Sequence, residues 1–472
     1  MTENLVQIGS SAINGVAPAP VAKARLYIKT FGCQMNEYDS EKLAKILEDG
    51  YSLVDSPVQA DLVLVNTCSV RDKPEQKLYS ILGELRDLKR SRPDLLVGVG
   101  GCVAQQEGQK ILKRNSAVDF VFGTHNLSLV PALIEQCRKQ GKPQMAIDYR
   151  DEWEDLPLGF SGGERISVFV SISRGCNKSC SYCIVPTTRG PEVSRAAAEV
   201  EKEVRIAVHR GAREVVLLGQ TVNSWGLDFE PRQKFTELLS RIAAIDGVER
   251  IRFTSPHPQE VRQDFIELVT SNPKICRHIH LPLQSGSDAI LKSMKRNYRR
   301  ERYLQIIGAF KERVPEMSIT TDLIVGYPGE SEADFEQTLE VMKAVRFQDS
   351  YSYMFSARPG TAAAQIRDDV SEEEKLRRLQ QLQALQFEHT SGVLGQWLGK
   401  EVEILIDGPT SYNPRALCGR SSQNIVVNLD EEQVQLRPGM IVRALVSEVS
   451  RFSLRGRYLA TKLGVDNLAS AG

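Results

Sequence analysis

The chain has 472 residues, of which 41% are hydrophobic and 25% charged, so wholesale disorder is excluded. At roughly 150 residues per domain it has room for about three domains with real cores. Its 60 basic and 60 acidic residues cancel, so nucleic acid can be met only by local patches. No apolar run approaches the ~18 residues of a membrane span. Residues 1–23 lack the basic leader and apolar core of a secretory signal and read as a disordered polar tail. The 9 cysteines, without an export signal, argue against a disulfide framework.

From Arg25 one theme recurs three times: an apolar strand, a cysteine, a helical stretch. RLYIKTFG leads to Cys33, DLVLVNT to Cys68 and LLVGVGG to Cys102, at intervals of 35 and 34 residues, about one βα unit each. Leu78, Ile81, Leu82 and Leu85 carry helical periodicity between them. A fourth strand at 119–123 and a helix near 126–139 complete an α/β domain over 24–145, Rossmann-like or flavodoxin-like. Residues 146–163 read as a linker. Over 164–397 strands at 166–173, 214–219, 250–255, 278–283, 318–326 and 349–356 alternate with helices, a partial (β/α)6 barrel. The last long helix opens at Ser371-Glu-Glu-Glu374, a capping-box pattern. Five short strands over 398–463 predict a small five-stranded β-barrel of the oligonucleotide-binding (OB-like) kind, and 464–472 is a tail. Over 398–462, 9 basic residues stand against 7 acidic. They cluster late, at Arg437, Arg443, Arg451, Arg455, Arg457 and Lys462, which suggests a phosphate-facing surface or a solvated face.

Cys176, Cys180 and Cys183 form a CxxxCxxC cluster directly after the first barrel strand. Three thiolates at this spacing can wrap one face of an iron–sulfur cube and leave the fourth iron open to a small molecule. Zinc competes, but a closed structural zinc site wants four Cys or His ligands, and no histidine lies within twenty residues. Redox cysteines or core thiols remain as alternatives. Cys33, Cys68 and Cys102 are too far apart for a local motif, yet each ends a predicted parallel strand, and those ends share one crevice. They form either a second metal site or three separate core thiols. Cys137, Cys276 and Cys418 match no motif and read as packing residues.

CxxxCxxC with Tyr182 before its last cysteine resembles the radical S-adenosylmethionine (radical SAM) superfamily. FGCQMNEYDSE, NTCSVR and GGCVAQ resemble the three boxes of the methylthiotransferase amino-terminal domain, whose cysteines hold an auxiliary 4Fe-4S cluster. Gly190-Pro-Glu-Val-Ser-Arg195, Leu217-Leu-Gly-Gln-Thr221, Leu281-Pro-Leu-Gln-Ser-Gly-Ser287, Asp322-Leu-Ile-Val-Gly-Tyr-Pro-Gly-Glu330 and Phe355-Ser-Ala-Arg-Pro-Gly-Thr361 extend the likeness. Over about 24–463 the chain resembles the family of tRNA-2-methylthio-N6-dimethylallyladenosine synthases, which end in a tRNA-binding TRAM domain. Thr221 stands where that pattern has Asn, and Phe31 where Trp is frequent.

The resemblance implies two 4Fe-4S clusters, one on Cys176, Cys180 and Cys183 with S-adenosylmethionine, the other on Cys33, Cys68 and Cys102. For the cofactor it implicates Tyr182 and the strand-end residues Gly219, Gln220, Gln284, Ser285, Ile324, Val325 and Gly326. For the substrate it implicates Gln34 and Asn36 beside Cys33. The basic run 291–302 (Lys295, Arg296 and Arg299, with Tyr298) and Arg443, Arg455 and Arg457 are expected on tRNA phosphates. The implied reaction is methylthiolation of carbon 2 of N6-isopentenyl-adenosine at position 37 of tRNA. The partners are then the tRNA anticodon stem-loop, an electron donor such as flavodoxin or ferredoxin, and a sulfur source. The chain is expected to be cytoplasmic and monomeric, with no membrane. Sister methylthiotransferases, acting on threonylcarbamoyl-adenosine or on a ribosomal-protein aspartate, are the nearest rivals. A non-catalytic iron–sulfur RNA-binding protein is the rival of another class.

Overall fold

The structure is a computed structural model that describes residues 23–69, 72–150, 153–154, 156–410, 413–429 and 436–461. The first strands are β1 (Ala24–Thr30), β2 (Tyr51–Leu53), β3 (Leu62–Thr67), β4 (Leu96–Gly101), β5 (Phe120–Phe122) and β6 (Gln144–Ala146). All are parallel, in the order β2-β1-β3-β4-β5-β6, which is the flavodoxin-like winding. Helices α1 (Gln34–Leu47), α2 (Asp72–Ser91), α3 (Cys102–Glu107), α4 (Gln109–Arg114) and α5 (Val130–Gln140) cover the two faces. Central β3 is buried along its whole length, as a strand covered on both sides must be. Leu78, Leu82 and Leu85 of α2 pack on Val63, Val65, Val97 and Val99. Leu43 and Leu47 of α1 and Leu133 and Ile134 of α5 pack on Leu62, Leu64, Phe120 and Phe122. Edge strands β2 and β6 were not expected from the sequence.

The second unit holds β7 (Ser167–Ser171), β8 (Ser173–Arg174), β9 (Val193–Ser194), β10 (Glu214–Leu218), β11 (Arg250–Phe253), β12 (His278–His280), β13 (Ser318–Val325) and β14 (Asp349–Met354). Its helices are α6 (Val185–Arg189), α7 (Ala197–His209), α8 (Phe235–Ala243), α9 (Gln263–Ser271), α10 (Asp288–Ser293), α11 (Arg300–Arg313), α12 (Glu332–Val345) and α13 (Glu372–Gly395). Parallel sheets β11-β10-β7 and β12-β13-β14 meet through an Ile251–Ile275 bridge, so six strands follow one another in sequence order. The short pair β8–β9 is antiparallel and brackets the loop that carries the second cysteine triad.

Strands β15 (Glu401–Pro409), β16 (Leu417–Ser421), β17 (Val426–Leu429), β18 (Ile441–Val449) and β19 (Ser453–Thr461) close a small barrel in the order β15-β16-β17-β19-β18. It docks at the amino-terminal ends of the large barrel's strands. Arg252 donates to the Ser421 carbonyl at 2.6 Å and the Ser422 carbonyl at 3.2 Å while pairing with Glu214 at 2.8 Å. The first domain docks along β7 and α7, where buried Lys42 of α1 and Arg195 share the Glu203 carboxylate of α7. Among the described residues no helix is long and apolar enough to cross a membrane.

Candidate active site

In a doubly wound sheet the binding crevice lies at the carboxyl ends of the strands, where their order reverses. Here that reversal falls between β1 and β3, and the thiols stand at it. Cys33 follows β1 and caps α1, Cys68 follows β3, and Cys102 opens α3 after β4. A hydrogen bond with Cys68, the nearby Arg189 charge and the Asn36 and Met35 N–H groups draw the Cys33 thiol down to about 6. Burial pushes the Cys102 thiol up, against the Arg189 charge. Gly32 lets the chain come this close, since a Cβ there would stand 2.3 Å from the Cys68 Cβ, at a φ of +116°. The Asn36 amide ties the turn together, donating to the Phe31 carbonyl at 2.9 Å and the Thr67 carbonyl at 2.7 Å.

The second triad sits on the loop after β8. Gly175 holds φ at +72°, and a Cβ on it would meet the Pro191 carbonyl oxygen at 1.9 Å, so the loop turns directly under residues 190–191. The Cys176 N–H donates to the Gly190 carbonyl at 3.1 Å. Ser181 anchors the middle of the loop, its hydroxyl 2.9 Å from both the Ser293 carbonyl and the Tyr327 hydroxyl. Thr221 Oγ1 lies 3.4 Å from Cys176 Sγ, and Arg296 Nη1 donates to Cys180 Sγ at 3.5 Å. Burial, with the other two thiols close by, pushes Cys183 up to about 12. Such a thiol ionises readily only when a metal replaces its proton.

Five of the six thiols, Cys33, Cys102, Cys176, Cys180 and Cys183, line one cavity of about 2040 Å³, while Cys68 is buried and does not line it. Arg189 joins them. It ends α6, six residues past Cys183, and its guanidinium reaches Asn36 Oδ1 and Asp39 Oδ2, both at 2.8 Å. Among the described residues no three Cys, His, Asp or Glu groups close onto a single metal ion. Gln220 Oε1 is buried in the cavity wall with no hydrogen-bond partner among the described residues.

Residues 25–123 match an uncharacterised protein family, UPF0004; 170–342 match the radical SAM superfamily and 396–459 the TRAM domain. The chain is 48% identical over 407 residues to a tRNA-2-methylthio-N(6)-dimethylallyladenosine synthase of Geobacter metallireducens, covering 85% of this chain and 91% of that protein. A synthase of the same name from Bordetella avium is 40% identical over 463 residues, covering 96% and 97%. The chain belongs to this synthase family. A solved radical S-adenosylmethionine methyltransferase, TsrM from Kitasatospora setae, has the same fold at 13% identity, with a TM-score of 0.54 over 72% of this chain and 74% of that one. As a radical SAM methylthiotransferase, the chain works with S-adenosylmethionine and an iron–sulfur cluster.

Within that family frame, Tyr182, Gly219, Gln220, Gln284 and Ile324 line the cavity, with Tyr182 and Ile324 in one apolar cluster. The other three expected cofactor contacts, Ser285, Val325 and Gly326, do not line it. The Ser285 hydroxyl is fully buried and faces Thr338 Oγ1 at 3.4 Å. Val325 is fully buried in the core, and the Gly326 N–H is taken by Glu330 at 2.6 Å. Gln34 lines the cavity, whereas Asn36 is buried in its wall. Arg296 is corrected: it is buried against Cys180 and the Pro282 carbonyl, away from any phosphate, and the Tyr298 hydroxyl is spent on the Pro282 and Leu283 carbonyls. Lys295 and Arg299 are exposed outside the cavity lining. Arg443, Arg455 and Arg457 are exposed on the small barrel, the first two beside Glu401 at 3.2 Å and Glu448 at 3.8 Å. Arg189 was missed from the sequence, since its basic side chain within TTRG carries no spacing signal.

Proposed function

We propose that the chain methylthiolates carbon 2 of N6-isopentenyl-adenosine at position 37 of tRNA. It does so with two 4Fe-4S clusters, on Cys176, Cys180 and Cys183 and on Cys33, Cys68 and Cys102. The observation that carries this reading is that thiols from both triads, all but buried Cys68, line one cavity. When bound, the clusters and S-adenosylmethionine supply one-electron chemistry, which an aryl C–H bond without an acidic proton requires, and the sulfur and methyl group transferred. The chain's own side chains hold and orient. Arg189, fixed by Asp39, sets a positive charge beside Cys33 and Cys102, and Arg296 does the same at Cys180. Gln220 Oε1, without a partner among the described residues, would accept from the cofactor's amino group, and Tyr182 and Ile324, in one apolar cluster, would hold its adenine. Gln34 faces the incoming nucleoside. An anticodon-loop base is unpaired and enters without melting a duplex. Lys295, Arg299, Arg443, Arg455 and Arg457 meet phosphates, which position the RNA but do not read it. An electron donor such as flavodoxin or ferredoxin and a sulfur source complete a cytoplasmic, monomeric system. The test is nucleoside mass spectrometry after the reconstituted chain meets isopentenylated tRNA, S-adenosylmethionine and reductant. Appearance of the 2-methylthio product supports the reading; product on threonylcarbamoyl-adenosine tRNA alone moves it to the sister class.

A further inference from the structure

The turn between β18 and β19, closed by the Ser450 N–H to Ser453 carbonyl bond at 2.8 Å, holds an aromatic side chain out in solvent. Phe452 is 61% exposed, and Phe387 on α13 is 44% exposed. Arg451 joins them: its guanidinium lies 4.9 Å from the Phe387 ring centre and 5.0 Å from that of Phe452. No carboxylate among the described residues pairs with Arg451, unlike Arg443 and Arg455. The patch also lies at the cavity. Phe452 lines it, as do Leu379, Gln383, Thr390 and Leu394 of α13, and Phe387 follows Gln383 by one helical turn.

Two exposed rings around a guanidinium with no carboxylate partner among the described residues make poor core and good RNA surface. Unstacked bases lie on aromatic faces and on arginine planes, and the positive charge suits a polyanion. We infer that Phe387, Arg451 and Phe452 form a stacking platform for an unpaired base of the RNA, next to the one that enters the cavity. The inference rests on the RNA-substrate reading above and adds a contact that does not depend on phosphates.

The experiment measures affinity of the full-length chain for an anticodon stem-loop and for a fully paired RNA duplex, across a salt series. Phe452→Ala and Phe387→Ala should each weaken stem-loop binding roughly 5- to 150-fold. Duplex affinity and the salt slope should stay as in wild type, and Phe452→Trp should restore binding. Both rings are exposed, so unfolding curves should match wild type. Unchanged stem-loop affinity, or equal losses on duplex, would overturn the platform. A shift of Phe452→Ala from dimer to monomer in sedimentation would do so as well, by making the patch a self-interface. Turnover of the same tRNA by wild type is measured alongside. Product with unchanged variant affinity defeats the platform alone, whereas no product defeats the wider reading.

Discussion

Arg189 is 4% exposed, and its charge crosses from the barrel into the thiol crevice of the first domain, shared between Asp39 and Asn36. Arg189→Met should leave Asp39 buried without its partner and destabilise the cluster-free chain by roughly 3–5 kcal/mol in urea unfolding. Arg189→Lys should lose less; a wild-type midpoint for Arg189→Met would remove the ion pair from the account. His125 reports the same junction, with Nε2 2.9 Å from the Arg189 carbonyl. Burial, then the Arg174 charge, draws it from 6.5 to about 4. Its contribution is therefore complete above 6.5 and is lost as pH falls toward 4, because the unfolded chain takes the proton first. Burial also draws His257 down to about 2 and lowers His278. His125→Gln should thus make the melting temperature of the cluster-free chain fall less steeply between pH 6.5 and 4, without flattening it. The two cysteine triads could be picked out in the sequence because one has a local spacing and the other ends repeated strands. Arg189 could not, and Arg296 and Thr221 were noted without their places beside Cys180 and Cys176, since what brings all three to the thiols is tertiary approach.

At the scale of elements, the loop from β8 through Cys183 carries the barrel triad, and its path depends on a backbone that only glycine adopts easily. Gly175→Ala would force a Cβ into the Pro191 carbonyl at 1.9 Å. The variant should lose most of the iron held by Cys176, Cys180 and Cys183 and keep about four irons on the other triad. Iron analysis showing wild-type content would mean that the loop can bind its cluster by another path. The barrel strands were legible as apolar or, in β14 (Asp-Ser-Tyr-Ser-Tyr-Met), alternating runs between helical stretches, and inward positions such as Glu214, Arg252, His280 and Asp322 interrupt them without breaking them. Strands β2 and β6 were not. Tyr51-Ser-Leu53 and Gln144-Met-Ala146 are three residues each with little burial, and pairing with a preformed sheet edge is what makes them strands. Ser285 and Gly326 followed the strand-end rule, but local packing turned them away from the cavity.

Across the whole molecule, the order of three domains was visible as changes of period along the chain, while their docking was not. Arg252 meets main-chain carbonyls of the small barrel, and Lys42 and Arg195 meet one carboxylate, so no complementary sequence pattern marks either junction. The small barrel's charges bear on its RNA role. Neutralising Arg443, Arg455 and Arg457 together should flatten the salt dependence of tRNA binding by less than three full contacts, each worth roughly 0.7–0.9 in the log–log slope, because Glu401 and Glu448 already offset two of them. A full loss of three contacts would mean those pairs open on RNA; no change would move the phosphate contacts elsewhere.

That the two cysteine triads divide the reaction between them is best tested by one mass-spectrometric measurement. The Cys33→Ala, Cys68→Ala, Cys102→Ala variant is incubated with S-adenosylmethionine, reductant and isopentenylated tRNA, and both 5′-deoxyadenosine and the modified nucleoside are quantified. The prediction is 5′-deoxyadenosine without any 2-methylthio nucleoside. Methylthiolated tRNA from that variant would contradict the claim.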